Sequence, residues 1–189
     1  MTADVALKEW AVVVEALASG EQLLIIRKGG IRDPEGAFQL EHREFFLYPT
    51  LEHQNQEVVR PEFKNRFPGE AGPQQVPLKV YAGVAFCAPI SGPKQMAGLE
   101  KYHIWTPEFF QKRMEYKPAE PALLVVLRAY RLTEPVLLPV TPEYAGCVSW
   151  VKLAQPVQAA LPQPVIDNRR FRIALEEIAG HFPLEKKKV

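Results

Sequence analysis

Leu123-Leu124-Val125-Val126-Leu127-Arg128-Ala129-Tyr130-Arg131-Leu132 is the stretch on which the fold turns. Its β-branched and aromatic content within a short apolar run makes it the strongest strand in the chain, and Glu134-Pro135 separates it from a second extended piece, Val136-Leu137-Leu138. Upstream, Thr106-Pro107-Glu108 predicts a helix start, because Thr caps, Pro is tolerated at the first helical position and Glu suits the dipole. That helix is expected to run to about Lys117. Leu78 to Ile90, with Gly83 permitting a bulge or close backbone approach, and Cys147 to Leu153 read as further strands.

Towards the N-terminus, Leu7, Trp10, Val14 and Leu17 recur at helical spacing, with Thr2 or Asp4 as cap and Gly20 as stop, so residues 4–19 are predicted helical. Gln22 to Arg27 reads as a strand inside the sheet, ended by Lys28-Gly29-Gly30. Ala37 to Leu40 and Glu44 to Tyr48 look extended, Pro49 stops the second, and Thr50 is placed to cap a helix over Leu51 to Gln54. Phe171, Leu175 and Ile178 form a helical stripe between a cap at Asp167 or Asn168 and a stop at Gly180. The pattern predicts an α+β fold: a mixed, mostly antiparallel sheet flanked by helices.

The chain has 189 residues, 47% hydrophobic and 24% charged, which suits one globular domain over 1–189. Its 18 prolines, against a usual share of about 5%, fall mostly between apolar runs. The Pro-, Gly- and Gln-rich piece at 68–77 is expected to be a flexible loop. A net charge of +1 excludes a global field for nucleic acid or anionic membrane, so any such contact needs a local patch. Charges within Met1 to Trp10 argue against a signal peptide, and no apolar run approaches the ~20 residues that span a bilayer. Cys87 and Cys147, far apart, suggest reduced thiols and a cytoplasmic setting.

Ala6-Leu7-Lys8-Glu9-Trp10-Ala11-Val12-Val13-Val14-Glu15-Ala16-Leu17, Leu24 to Ile31, His42 to Thr50 with His53-Gln54, Arg128 to Val136 and Val148 to Leu153 together resemble the bacterial and cyanobacterial domain of unknown function 1802 family. The resemblance covers nearly the whole chain. It implies no activity, only that relatives occur with restriction-endonuclease-type domains. The order of elements is also similar to that of the PUA-like barrels of the ASCH group, which implies a partly closed barrel. In that group a Gly opens a short stretch ending in Arg, and Gly20 to Arg27 has this spacing. The group has Lys at the third and Glu at the sixth position, the residues its amidohydrolase members rely on. Here they are Gln22 and Ile25.

Arg27, Lys28, Arg32, His42, Arg43, Glu44 and His53 form the densest polar constellation. Arg forks and the open amides of Gly29-Gly30 suit a phosphate; a solvated hairpin paired with Glu35, Glu41 and Glu44 is the more common fate of such residues. Tyr102, His103, Trp105, Phe109 and Phe110 are candidate stacking rings, although Phe109 and Phe110 fit a core better. His42 and His53 lack metal-ligand spacing, so no metal or other cofactor is assigned. Glu62-Phe63-Lys64 has the form of a nuclease motif but follows Pro61, outside any strand.

The leading expectation is a non-enzymatic module that binds RNA, DNA or nucleotides. It would use Arg27, Lys28, His42, Arg43, His53, Lys101, Tyr102, Trp105, Arg128 and Arg131. A metal-dependent nuclease or hydrolase linked to restriction, and a protein-interaction adaptor, are the alternatives.

Overall fold

Several strands of this chain bury both faces, which explains why their sequences run apolar instead of alternating. A computed structural model of the protein describes residues 1–28, 38–68, 75–144, 146, 148–158 and 162–182. In chain order the regular elements are β1 (Thr2–Trp10), α1 (Ala11–Ser19), β2 (Leu24–Arg27), β3 (Glu44–Thr50), β4 (Gln75–Ile90), α2 (Pro107–Glu115), β5 (Ala122–Pro139), β6 (Trp150–Gln158), β7 (Gln163–Pro164) and α3 (Asn168–Gly180). Among the described residues no helix is long and apolar enough to cross a membrane.

The strands form one mixed, mostly antiparallel sheet in the order β2-β5-β4-β3-β1-β6, with β7 also on β5. Among the described residues, only β1 and β3 pair in parallel. Side chains of β1 and β3 point alternately into two apolar clusters: Val5, Leu7, Phe45 and Leu47 into one, Ala6, Phe46 and Tyr48 into the other. Helix α1 lies in the first cluster with every residue buried except Glu15 and Ser19. Each Val or Leu enclosed there contributes about 1.5–3 kcal/mol.

The ladder is an open path whose ends are β2 and β6. Arg27, at the end of β2, reaches towards the other end. Its Nη1 donates to the Lys8 carbonyl (3.1 Å) in β1, and its Nη2 donates to Ser149 Oγ (2.6 Å) just before β6. Side-chain bonds therefore tie the two ends of a sheet that backbone bonds leave open.

Several expectations need correction. Residues 4–19 are not one helix: Thr2–Trp10 is a strand held between β3 and β6, and the helix begins at Ala11. Neither Thr2 nor Asp4 caps it; Gln54 Oε1 accepts from Val12 N (3.2 Å) instead. Strand β2 is the end of the path, not an interior strand. Pro135 does not end a strand, because β5 runs on to Pro139 and Glu134-Pro135 lies at a register shift between the pairs Val80↔Arg131 and Leu78↔Val136. A bulge is where a ladder tolerates proline. No helix forms over 51–54: Thr50 Oγ1 accepts from Glu52 N (3.1 Å), His53 takes a positive φ of 58°, and 3-10 turns follow at Gln56–Val58 and Pro61–Arg66.

Of the loop expected at 68–77, residues 69–74 lie outside the described residues, while Gln75–Pro77 already belong to β4. Pro77 is tolerated because the β3 pairing of β4 spans only Tyr81 to Gly83, leaving no β3 partner beside it. Ala37 also lies outside the described residues, and Phe38–Leu40 form no strand. Gly180 is the last residue of α3, and His181 takes the cap position beyond it.

Candidate functional site

The sheet order brings four cations that are distant in sequence to one small cleft. Lys8 comes from β1, Arg27 and Lys28 from the end of β2, and Arg113 from α2; together with Glu9, Glu52, His53 and Ser149 they line a cavity of about 210 Å³. Four cations face two carboxylates there. Glu9 is held in place twice, accepting from Trp10 N through Oε1 (2.9 Å) and pairing with Arg27 through Oε2 (3.4 Å).

These cations are costly where they sit. Lys28 is buried, its Nζ donates to the Met114 carbonyl (3.0 Å), and burial, joined by the nearby Arg113 charge, holds its pKa below the ordinary lysine value against the opposing pull of Glu120. Arg113 is pulled the same way, first by burial and then by the like charge of Arg27, with Glu9 opposing. Its guanidinium lies over the Phe109 ring at 5.4 Å. The Nε atoms of Arg27 and Arg113 are both buried without a hydrogen-bond partner. Desolvated like charges of this kind are relieved by an anion.

A second cleft, of about 780 Å³, adjoins the first and shares Lys8, Thr50 and Glu52 with it. Its walls are mainly apolar and aromatic: Ala11, Val14, Tyr48, Pro49, Leu51, Val76, Pro77, Val140 and Tyr144. Tyr48 and Tyr144 meet edge to face, with ring centroids 6.1 Å apart and 65° between planes. Lys8 stands at the junction of the clefts, its Nζ donating to the Gly146 carbonyl (2.8 Å) and lying 5.6 Å from the Tyr48 ring centroid. Around the rim, Lys79 pairs with Glu15 (2.7 Å) and Arg66 with Glu21.

The residues expected to act together divide between these clefts and other parts of the molecule. Arg27, Lys28 and His53 converge on the small cleft, and Arg131 lines the large one while donating to the Ala18 carbonyl. His42 packs edge-on against Trp150 at 5.0 Å, and Arg43 is exposed with its carbonyl accepting from Val84 N. Lys101 and Tyr102 both bind Glu177 of α3, at 2.7 and 2.6 Å. Trp105 is buried and stacked on Phe109 at 4.5 Å with 5° between planes, so that ring face is already covered. Arg128 donates to Asn168 Oδ1 (2.7 Å) and lies over Phe171.

Lys8, Glu9, Arg113, Ser149, Tyr48 and Tyr144 escaped the sequence reading. The one available signal was the charged pair Lys8-Glu9 inside the apolar run from Ala6 to Val14, which a helix would have placed on a solvated face. Gln22 and Ile25 are structural: Gln22 is enclosed, donating to the Leu24 carbonyl (2.8 Å) and accepting from Ile104 N (3.2 Å), and Ile25 is core. Glu62-Phe63-Lys64 lies on a 3-10 turn, with Glu62 paired to Arg60 at 3.5 Å. Among the described residues, no three His, Cys, Asp or Glu side chains gather as metal ligands would. Cys147 lies outside the described residues.

No curated protein matches the chain. Among solved structures, the ASCH protein from Zymomonas mobilis is similar, with a TM-score of 0.47 and 13% identity over 80% of this chain and 87% of that one. Two mutant forms of it score 0.45 and 0.46, at 13% and 11% identity, again over 80% of this chain and over 88% and 90% of theirs. A family model described as a domain of unknown function (DUF1802) matches residues 6–177, a span that takes in both clefts, and the chain belongs to that family.

Proposed function

We propose that this domain binds a nucleotide or a nucleic-acid strand by seating a phosphate in the small cleft, and that it acts by binding rather than by catalysis. The convergence of Lys8, Arg27, Lys28 and Arg113 on one concavity is the observation that supports this reading. Guanidinium forks match phosphate oxygens in a bidentate way, and a concave, partly desolvated setting strengthens each contact. Two cations expected to join them are held elsewhere, Lys101 on Glu177 and Arg128 on Asn168. A compact anion site therefore fits better than a long basic track, and the net charge of +1 agrees with that.

The test is calorimetric titration with short single-stranded RNA and DNA and with nucleoside 5′-monophosphates across a range of salt. Binding is expected to weaken with salt at a slope of about −0.7 per phosphate contacted, so a shallow dependence marks one or two contacts. Arg113→Gln and Lys28→Gln should each weaken binding about tenfold, as loss of a charge-assisted hydrogen bond does. Absence of binding to any of these ligands at low salt, or full affinity in both variants, would overturn the proposal.

A further inference from the structure

The large cleft shares Lys8, Thr50 and Glu52 with the small one. We infer that it takes the base and sugar of a single nucleotide unit whose phosphate occupies the small cleft, a reading that rests on the anion site proposed above. Three observations point there.

First, the clefts adjoin. Lys8, Thr50 and Glu52 line both, which sets the large cleft beside the anion position near Arg27 and Arg113. Second, the walls suit a flat ring. Tyr48 and Tyr144 form an edge-to-face corner, and Val14 and Pro49 extend the apolar surface around it. The two rings, 5% and 6% exposed, back the cleft, while the half-buried Pro49 and Leu51 and the exposed Val140 supply the apolar surface that a planar ring would meet. Third, the lip is apolar yet uncovered. Val140 is 55% exposed, unlike the enclosed Val14 and Tyr144, and a bound ring would cover it.

The polar fittings favour a heterocycle over an alkyl chain. The Glu52 carboxylate at the junction accepts only, so it matches a ligand edge that presents N–H groups. A volume of about 780 Å³ is within the range of sites that enclose small organic ligands and exceeds what a phosphate alone would need.

Calorimetry on the full chain with inorganic phosphate, adenosine, adenosine 5′-monophosphate and a 5′-phosphorylated trinucleotide tests this. The monophosphate should bind at least about tenfold more tightly than phosphate, since stacking of one base is worth that much. Val140→Trp, which fills the lip, and Tyr144→Leu, which removes a ring, should each erase most of that gain while leaving phosphate affinity unchanged. Melting curves establish that both variants are folded. Trinucleotide binding equal to or tighter than that of the free nucleotide assigns the unit to a strand end, and weaker binding assigns it to a free nucleotide. If phosphate and the monophosphate bind equally, or both variants keep the gain, the base subsite is wrong while the anion site stands. Failure of phosphate and the nucleotide alike removes the anion site itself.

Discussion

His103 shows how far one side chain departs from what its sequence position suggests. Within Lys101 to Trp105 it read as a candidate stacking ring. In the fold it is 1% exposed, its Nδ1 accepts from Trp105 N (3.3 Å), and Phe110 meets its ring edge-on at 5.0 Å. Burial, reinforced by the Arg60 charge, lowers its pKa from 6.5 to about 4, against the opposing pull of Glu100. The imidazole is therefore neutral in the folded protein at pH 7. Between about pH 6.5 and 4 the unfolded chain takes up a proton that the folded one refuses, so stability is present above this window and lost as pH falls through it. The loss attributable to this group is roughly 2 kcal/mol by pH 4.5. Urea midpoints at pH 7 and 4.5 should fall less in His103→Gln than in the native chain; equal falls would show that His103 does not carry the effect.

At the scale of elements, the turn that ends α1 was legible and the element that begins the chain was not. Gly20 was read as a left-handed stop, and it has φ 77° with its N–H on the Ala16 and Leu17 carbonyls. It is needed a second time, because a Cβ there would stand 2.7 Å from Ile166 Cγ2 in the segment between β7 and α3. Gly20→Ala should thus cost about 2 kcal/mol, combining left-handed strain with that clash. Gly83→Ala is the control: a Cβ there would meet nothing within 4 Å, so the close approach expected at this glycine is absent. Thermal melts of the two variants should differ accordingly, and similar melting would contradict the account of Gly20.

Strand β1 was misread because the spacing of Leu7, Trp10, Val14 and Leu17 spans a strand and a helix that abut at Trp10. Burial on both faces removed the alternation that would have announced a strand. By contrast, α2 and α3 carry their start signals locally, Pro107 at the first position and Asp167 Oδ1 accepting from Arg170 N (2.9 Å), and both were legible.

Across the whole molecule, the mixed, mostly antiparallel sheet followed from strand content and turn chemistry, but the site did not. Its cations sit at positions 8, 27, 28 and 113, and only the neighbours at 27 and 28 drew attention in sequence. Lys8 joins them because β1 is a strand next to β6, with the preceding Ser149 tied to Arg27; Arg113 joins them because α2 packs where β2 ends. Pairings across a sheet leave no local trace, so no reading of spacing would have assembled this set. Lys101 and Arg128 looked equivalent to Arg27 in sequence and diverged in place, lying outside the cleft against Glu177 and Asn168.

The claim that these distant residues form one anion site is tested most directly by titrating adenosine 5′-monophosphate into isotope-labelled protein and following amide and side-chain resonances. Saturable, salt-sensitive shifts are expected, centred on Lys8, Arg27, Lys28, Arg113 and Ser149. Shifts confined to the surface around Lys101 and Arg128, or no shifts at all at low salt, would contradict it.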